Sequence, residues 1–241
     1  VSFPLQADGR LGPAASLFDQ AGPLGPKSDR QNAPHPHSVT LSPDNRFAFI
    51  ADLGVDRVFA YALAPETGTL ALHPAGAVTI APGSGPRHTK FSPDGKNFYV
   101  LDELDGTVTA CRYDTASGVA EPFQRVSTTA DDYTGRQSCS EIRLHPGGRF
   151  VYAANRGNNT IAVFARDPAT GALTRLESVP TGGKNPRNFN LTPDGAWLVC
   201  GHQDTDNVTV FRVDPASGRL SPTAHTVTVP KAICVLFLPL G

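Results

Sequence analysis

The sequence predicts an all-β fold, a β-propeller of four-stranded antiparallel blades, from three observations. Four stretches of the chain repeat one another without an internal gap. Within each, short apolar alternations are cut by turn residues. No window keeps the i, i+3, i+4, i+7 apolar face of a helix, and Pro or Gly interrupts about every dozen residues.

The aligned stretches are residues 37–70, 87–120, 140–173 and 187–220, and Pro43, Pro93, Pro146 and Pro193 mark the same place in each. These prolines are separated by 50, 53 and 47 residues, a length that suits four short strands with their turns and exceeds a leucine-rich repeat. One repeat is therefore one blade, with blades expected over about 37–86, 87–139, 140–186 and 187–230 of a single domain spanning 1–241.

Each blade reads as a meander A-B-C-D. Strand A runs into a Pro-Asp-Gly-like turn, SPDG at 92–95 and TPDG at 192–195, which suits a tight hairpin connection. Strand B is aromatic and β-branched (FAFIA, FYVL, FVYAA, WLVCG), and strand C carries Val58, Val108, Ile161 or Val208 in one register. A second turn (ETG, ASG, ATG, ASG) places Gly68, Gly118, Gly171 and Gly218 where a left-handed backbone favours glycine, before strand D. Phe49, Tyr99 and Tyr152 are expected in the core between blades, and Asp44, Asp94 and Asp194 are expected to serve the turns.

At the ends the pattern is partial. Residues 1–5, followed by DGRLG and PAASLFDQAG, match strands C and D of a blade, and 231–238 (KAICVLFL) match a strand A. The expectation is four complete blades plus partial blades at both ends, part of a larger ring whose remaining strands precede Val1.

Composition narrows the function. Twenty-one basic residues balance 22 acidic ones for a formal charge of −1, so no global field draws the chain to nucleic acid or an anionic membrane. No apolar run approaches the ~20 residues of a membrane-spanning helix, and a cytoplasmic setting is expected. Cys111, Cys139, Cys200 and Cys234 form no CxxC pair, so buried free thiols are expected in place of a zinc site or disulfide framework. No GxSxG elbow occurs, which favours direct attack by water over an acyl-enzyme, and neither a metal nor another cofactor is expected.

In a propeller, the start of the innermost strand A and the loop between B and C share one face. His37-Ser38, Arg87-His88, Ser140-Glu141 and Arg187-Asn188 open the A strands, while Asp52, Asp102-Glu103, Asn155-Arg156 and His202-Gln203 close the B strands. These positions differ between repeats while the scaffold beside them repeats, which points to a site on that rim. His37 suits a base because its unperturbed pKa is near neutral, and Glu103 suits orienting that base or a water. Arg87 and Arg187 offer planar, permanently charged donors. Glu141, Arg143 and Asn188 are expected to contact substrate, as is Lys184 in TGGKNPRN, helped by glycine-flanked amides. The plainer readings are a structural His37 and a simple Arg87–Glu103 ion pair.

The sequences PHPHSVTLSPDNRFAFIADLG, GSGPRHTKFSPDGKNFYVLDELDGTV, CSEIRLHPGGRFVYAANRGNNTIAVF and GGKNPRNFNLTPDGAWLV resemble the seven-bladed propeller lactonase family, the 6-phosphogluconolactonase type, with carboxymuconate cyclases as relatives. The resemblance spans the whole chain. It implies a seven-bladed ring, hydrolysis of a phosphorylated sugar lactone, and a His, Arg and Glu site carried by His37, Arg87, Glu103 and, less directly, Arg187. Two other readings stay open at this point: a carboxymuconate-type lactonising enzyme, whose carboxylates the same arginines would bind, and a non-catalytic propeller that binds a partner.

Overall fold

Sixteen strands form four antiparallel sheets of four, each hydrogen-bonded in simple sequential order, in a computed structural model that describes residues 1–130 and 132–238. The first sheet holds β1 (Pro36–Leu41), β2 (Phe47–Asp52), β3 (Arg57–Ala64) and β4 (Thr69–Thr79). The second holds β5 (Pro86–Phe91), β6 (Asn97–Asp102), β7 (Thr107–Asp114) and β8 (Val119–Ser127). The third holds β9 (Cys139–Leu144), β10 (Phe150–Asn155), β11 (Thr160–Arg166) and β12 (Leu173–Pro180), and the fourth β13 (Pro186–Leu191), β14 (Trp197–His202), β15 (Asn207–Val213) and β16 (Leu220–Thr228). These are the four expected meanders.

The turns use the chemistry the sequence carries. In the A–B connections the Ser42, Ser92 and Thr192 hydroxyls donate to Asp44, Asp94 and Asp194 at 2.5–2.6 Å, and each then accepts the amide at the start of strand B at 3.0 Å. Between strands C and D, Gly118 (φ 73°) and Gly218 (φ 71°) take the left-handed conformation. A Cβ there would lie 2.6 Å from the Phe47 ring and 2.4 Å from the Phe150 ring, so glycine is required by both backbone and space.

That close approach is the join between blades: the C–D turn of each blade tucks over strand B of the blade before it. Tyr99 Oη donates to the Gly171 carbonyl and Tyr152 Oη to the Gly218 carbonyl, both at 2.8 Å. The core correspondingly lies between sheets. Phe49 packs with Phe98 and Tyr113, Tyr99 with Ile142 and Phe164, and Tyr152 with Phe189 and Phe211. Each of these clusters joins neighbouring blades, and each centres on a fully buried aromatic, as expected. The inner strands meet laterally through side chains: Ser38 Oγ donates to the Arg87 carbonyl at 2.7 Å and Ser140 Oγ to the Pro186 carbonyl at 2.6 Å.

Three expectations change. Residues 1–18 form a narrow antiparallel hairpin with bridges only at Ser2–Ser16 and Leu5–Leu11, short of two full strands. Residues 231–238 form no strand. Val235 instead donates its amide to Asn188 Oδ1 at 2.8 Å and accepts from Asn190 Nδ2 at 3.3 Å. The physical reason is that an inner strand ladders only with strand B of its own blade, and its lateral neighbour offers side chains, not a backbone edge. Finally, Cys111, Cys139 and Cys200 are buried free thiols, but Cys234, lying in that unladdered segment, is exposed.

Candidate active site

The start of each strand A and the residues just after strand B do share a face, and the second blade shows it most directly. Arg87 enters β5 and Glu103 follows β6, and Arg87 Nε lies 2.8 Å from Glu103 Oε2, with both side chains almost wholly buried. Two further guanidiniums reach the same carboxylate: Arg30 Nη2 at 2.7 Å and Arg156 Nη2 at 3.1 Å from Oε1. Arg30 comes from the loop before β1, which is anchored to the second blade by the Lys27 ammonium on the Leu104 carbonyl at 2.5 Å. Burial pushes the Glu103 carboxyl up, but Arg156, Arg87 and Arg30 outweigh it and hold the group below its ordinary value. Glu103 is thus an ionised hub with both oxygens engaged, which changes its expected role from orienting a base to assembling arginines.

Arg87 is held on every side. Besides Glu103 it donates Nη1 to the Ser140 carbonyl and to His88 Nε2, the latter at 3.2 Å. Burial, with Arg156 and Arg187 nearby, pulls its pKa down to about 10 against the pull of Glu103, so it stays charged near neutrality. Arg187, at the start of β13, has no hydrogen bond or ion pair among the described residues. Three guanidiniums therefore gather on a single carboxylate, and a fourth, Arg187, lies beside Arg87 and Arg156 unengaged.

The imidazoles divide into two kinds. His88 Nδ1 lies 2.9 Å from Glu141 Oε1. Since the carboxylate can only accept, Nδ1 carries the proton and Nε2 presents its lone pair to Arg87. Burial lowers the His88 pKa despite Glu141, so the ring is neutral at pH 7. Glu141 is itself fixed by Arg143 Nη1 at 2.8 Å, the Ile142 amide at 2.9 Å and Asn188 Nδ2 at 2.5 Å. Glu141, Arg143 and Asn188 thus form a satisfied network in the channel beneath the rim, and it orients His88.

His37, at the edge of the first blade, packs its ring edge-on to His88 with centroids 5.2 Å apart and makes no hydrogen bond among the described residues. By surface area it is exposed, yet it is crowded by the rim. Desolvation, then the charges of Arg87 and His88, bring its pKa down to about 4; Glu103 opposes and Arg187 adds to the fall. The ring is neutral across the physiological range.

The other residues closing the B strands behave differently from expectation. Asp52, Asp102, Asn155 and His202 are all fully buried and turn into the B–C connections. Asp52 Oδ1 accepts the His35 and Gly54 amides, Asn155 Oδ1 accepts the Gly157 amide, and His202 Nδ1 meets the Asn207 carbonyl. Strand alternation explains this: only the following residue, Glu103 or Arg156, reaches the rim. Lys184 lines a separate open pocket of about 320 Å³ beside Arg156. Its amide donates to Thr205 Oγ1 at 3.0 Å and that of Asn185 to Asn159 Oδ1 at 2.8 Å, so the ammonium is the group left for a ligand.

His88, Arg156, Arg30 and Arg136, the last lining the same pocket, were not singled out from the sequence. Arg156 and His88 occupy repeat positions equivalent to Glu103 and Asn188, and that equivalence is the signal that finds them. Arg30 lies outside the repeats and carries no such signal. Among the described residues, no three or more His, Cys, Asp or Glu side chains are grouped to hold a metal ion.

Fold and rim together define a β-propeller with a polar, arginine-rich site at the inner ends of its blades. The family model of the seven-bladed β-propeller lactonases matches residues 1–237, and the chain belongs to that family. It is 39% identical over 236 residues to the 6-phosphogluconolactonase of Bacillus subtilis, covering 98% of this chain and 66% of that protein. It is 32% identical over 193 residues to the 6-phosphogluconolactonase of Formosa agariphila, covering 78% of this chain and 53% of that one. The structure of the periplasmic gluconolactonase of Pseudomonas aeruginosa superposes with a TM-score of 0.91 at 34% identity, over 99% of this chain and 66% of that one. The chain thus spans about two thirds or less of the length of these relatives.

Proposed function

We propose that this protein hydrolyses a sugar lactone, with 6-phosphoglucono-1,5-lactone as the substrate, in the cytoplasm. The observation that carries the reading is the surplus of positive charge at the rim: Arg30, Arg87 and Arg156 gathered on Glu103, with Arg187 unengaged beside them. Such an array, partly withdrawn from water, suits a substrate that is anionic and becomes more so at the tetrahedral stage. The names of the Bacillus and Formosa relatives support the substrate, and the four unpaired cysteines support a reducing compartment.

In this reading the lactone carbonyl oxygen lies against the unengaged guanidinium of Arg187, which Arg87 flanks. His37, whose ring nitrogens are unengaged, takes a proton from water as the oxygen adds to the carbonyl carbon. The oxyanion then collapses, the carbon–ring-oxygen bond breaks, and the leaving oxygen receives the proton, giving the open acid. A base of low pKa suffices because the lactone is an activated ester, and an anionic substrate at the rim offsets the cations that depress His37. His88, with both nitrogens occupied, is a positioning residue that keeps the Arg87 guanidinium in plane.

The test is release of acid from freshly generated 6-phosphogluconolactone above its spontaneous rate, in the protein and in its Arg187→Gln variant. A fall of about a hundredfold in kcat/KM is expected for loss of one charged donor to the oxyanion. Equal rates in the two proteins would overturn the assignment.

A further inference from the structure

A second cluster of cations lies next to the rim and shares only Arg156 with it. The pocket of about 320 Å³ between the third and fourth blades is lined by Arg136, Arg156 and Lys184, with Asn159, Asn185 and Asp204 among its other walls. Arg136 and Lys184 are exposed, and neither side chain has a hydrogen bond or ion pair among the described residues. Arg156 is shared: one side of its guanidinium binds Glu103 at 3.1 Å, and its Nε donates to the Ser138 carbonyl at 3.2 Å, while the group also forms a wall of the pocket.

Two unpaired surface cations alone would mean nothing, since solvated lysines and arginines are ordinary. Here they converge with a third, partly buried guanidinium on one concave space. The backbone around that space is fixed. Asn159 and Asn185 both adopt left-handed φ angles, 56° and 58°, and the Asn185 amide is locked on Asn159 Oδ1 at 2.8 Å. Gly157 is forced as well, since a Cβ there would meet the Arg136 carbonyl at 1.7 Å. The single carboxylate, Asp204, is partly tied down, with Oδ2 accepting from Asn185 Nδ2 at 3.1 Å. Three cations against one carboxylate leave a positive excess in a pocket that opens beside the candidate catalytic rim.

We propose that this pocket is a phosphate-monoester subsite in which Arg136, Lys184 and the outer edge of Arg156 hold a dianionic phosphate. The inference rests on the lactonase reading for its link to substrate. A lactone and a phosphate at opposite ends of one six-carbon skeleton would then lie over Arg187 and over this pocket, with Arg156 between them. Discrimination of phosphorylated from unphosphorylated lactone resides chiefly here, where the phosphate itself is held, while the rim meets the same carbonyl in both substrates.

The experiment compares 6-phosphogluconolactone with glucono-1,5-lactone in the protein and in the Arg136→Gln, Lys184→Gln and double variants. The ratio of kcat/KM for the phosphorylated over the plain lactone should fall about tenfold in each single variant and more in the double, chiefly through KM. An unchanged ratio overturns the subsite. Calorimetric titration with inorganic phosphate and with 6-phosphogluconate separates this inference from the catalytic one. Phosphate binding that the double variant abolishes supports the subsite even if no lactone is turned over. Absent binding, or binding that survives the double variant, overturns it even in an active lactonase.

Discussion

Asp102 offers a quantitative test of how burial is tolerated beneath the rim. Its carboxyl is fully buried; Oδ2 accepts from Thr109 at 2.7 Å and Thr107 at 3.1 Å, while Oδ1 has no partner. Burial, reinforced by Asp105, raises its pKa from 3.8 to about 8. The folded chain therefore keeps this proton at pH 7 while the unfolded chain releases it. A group raised in this way contributes fully below pH 3.8 and destabilises progressively as pH rises toward 8. At 1.36 kcal/mol per pH unit, the cost at the top of that window is on the order of 5 kcal/mol. Asp102→Asn abolishes the titration, and the amide nitrogen placed at the orphaned Oδ1 position gives back about 1–2 kcal/mol. The variant should thus be less stable than the parent near pH 4, cross it near pH 5, and exceed it by about 3–4 kcal/mol at pH 8. The third blade already places Asn155 at this position, with Oδ1 on the Gly157 amide and Nδ2 on Gln137. Urea unfolding of both proteins at several values between pH 4 and pH 8 measures the difference directly. A stability difference that does not vary with pH would refute the claim that Asp102 is held protonated.

Two further outcomes follow from the same structure. The acid limb of kcat/KM should fall near pH 4 and not near 6.5, because His37 is pulled down to about 4 by desolvation and by Arg87, His88 and Arg187 against Glu103; a stopped pH profile reads this, and an inflection at 6.5 would remove His37 as the base. Tyr152→Phe deletes the 2.8 Å bond to the Gly218 carbonyl and should cost about 1–2 kcal/mol in urea. The ring itself will fit, since the first blade has Phe49 at this position; an unchanged midpoint would show that the bond contributes nothing net.

The repeat was legible because each level of it agreed: turn residues, alternation and aromatic spacing all recur at one interval, and four blades resulted. Register also followed, so the meeting of Arg87 with Glu103 could be read from strand order alone. What escaped was anything set by a non-repeating partner. Arg30 reaches Glu103 from a loop with no counterpart in the other blades, and the resulting crowd of guanidiniums changes what Glu103 does. The buried turn of Asp102 and His202 away from the rim was implicit in strand alternation but hidden by their neighbours, Glu103 and Gln203, which looked equally suitable. The 231–238 segment failed as a strand for a topological reason: apolar alternation supplies the faces of a sheet, but only a partner strand supplies its ladder.

The phenol-to-carbonyl bond between successive blades has a polarity. The third blade gives the Tyr152 hydroxyl forward and accepts that of Tyr99 from behind at Gly171, so its two faces complement each other but not themselves. Residues 140–186 carry both halves, Tyr152 as donor and Gly171 as acceptor, within one stretch of sequence. A segment cut at these bounds is a self-matching module that can be duplicated or excised whole while every remaining module still finds its mate. A cut through the middle of a blade parts donor from acceptor and leaves two unlike orphans, which makes the innermost strand the natural seam for building such arrays by tandem copying.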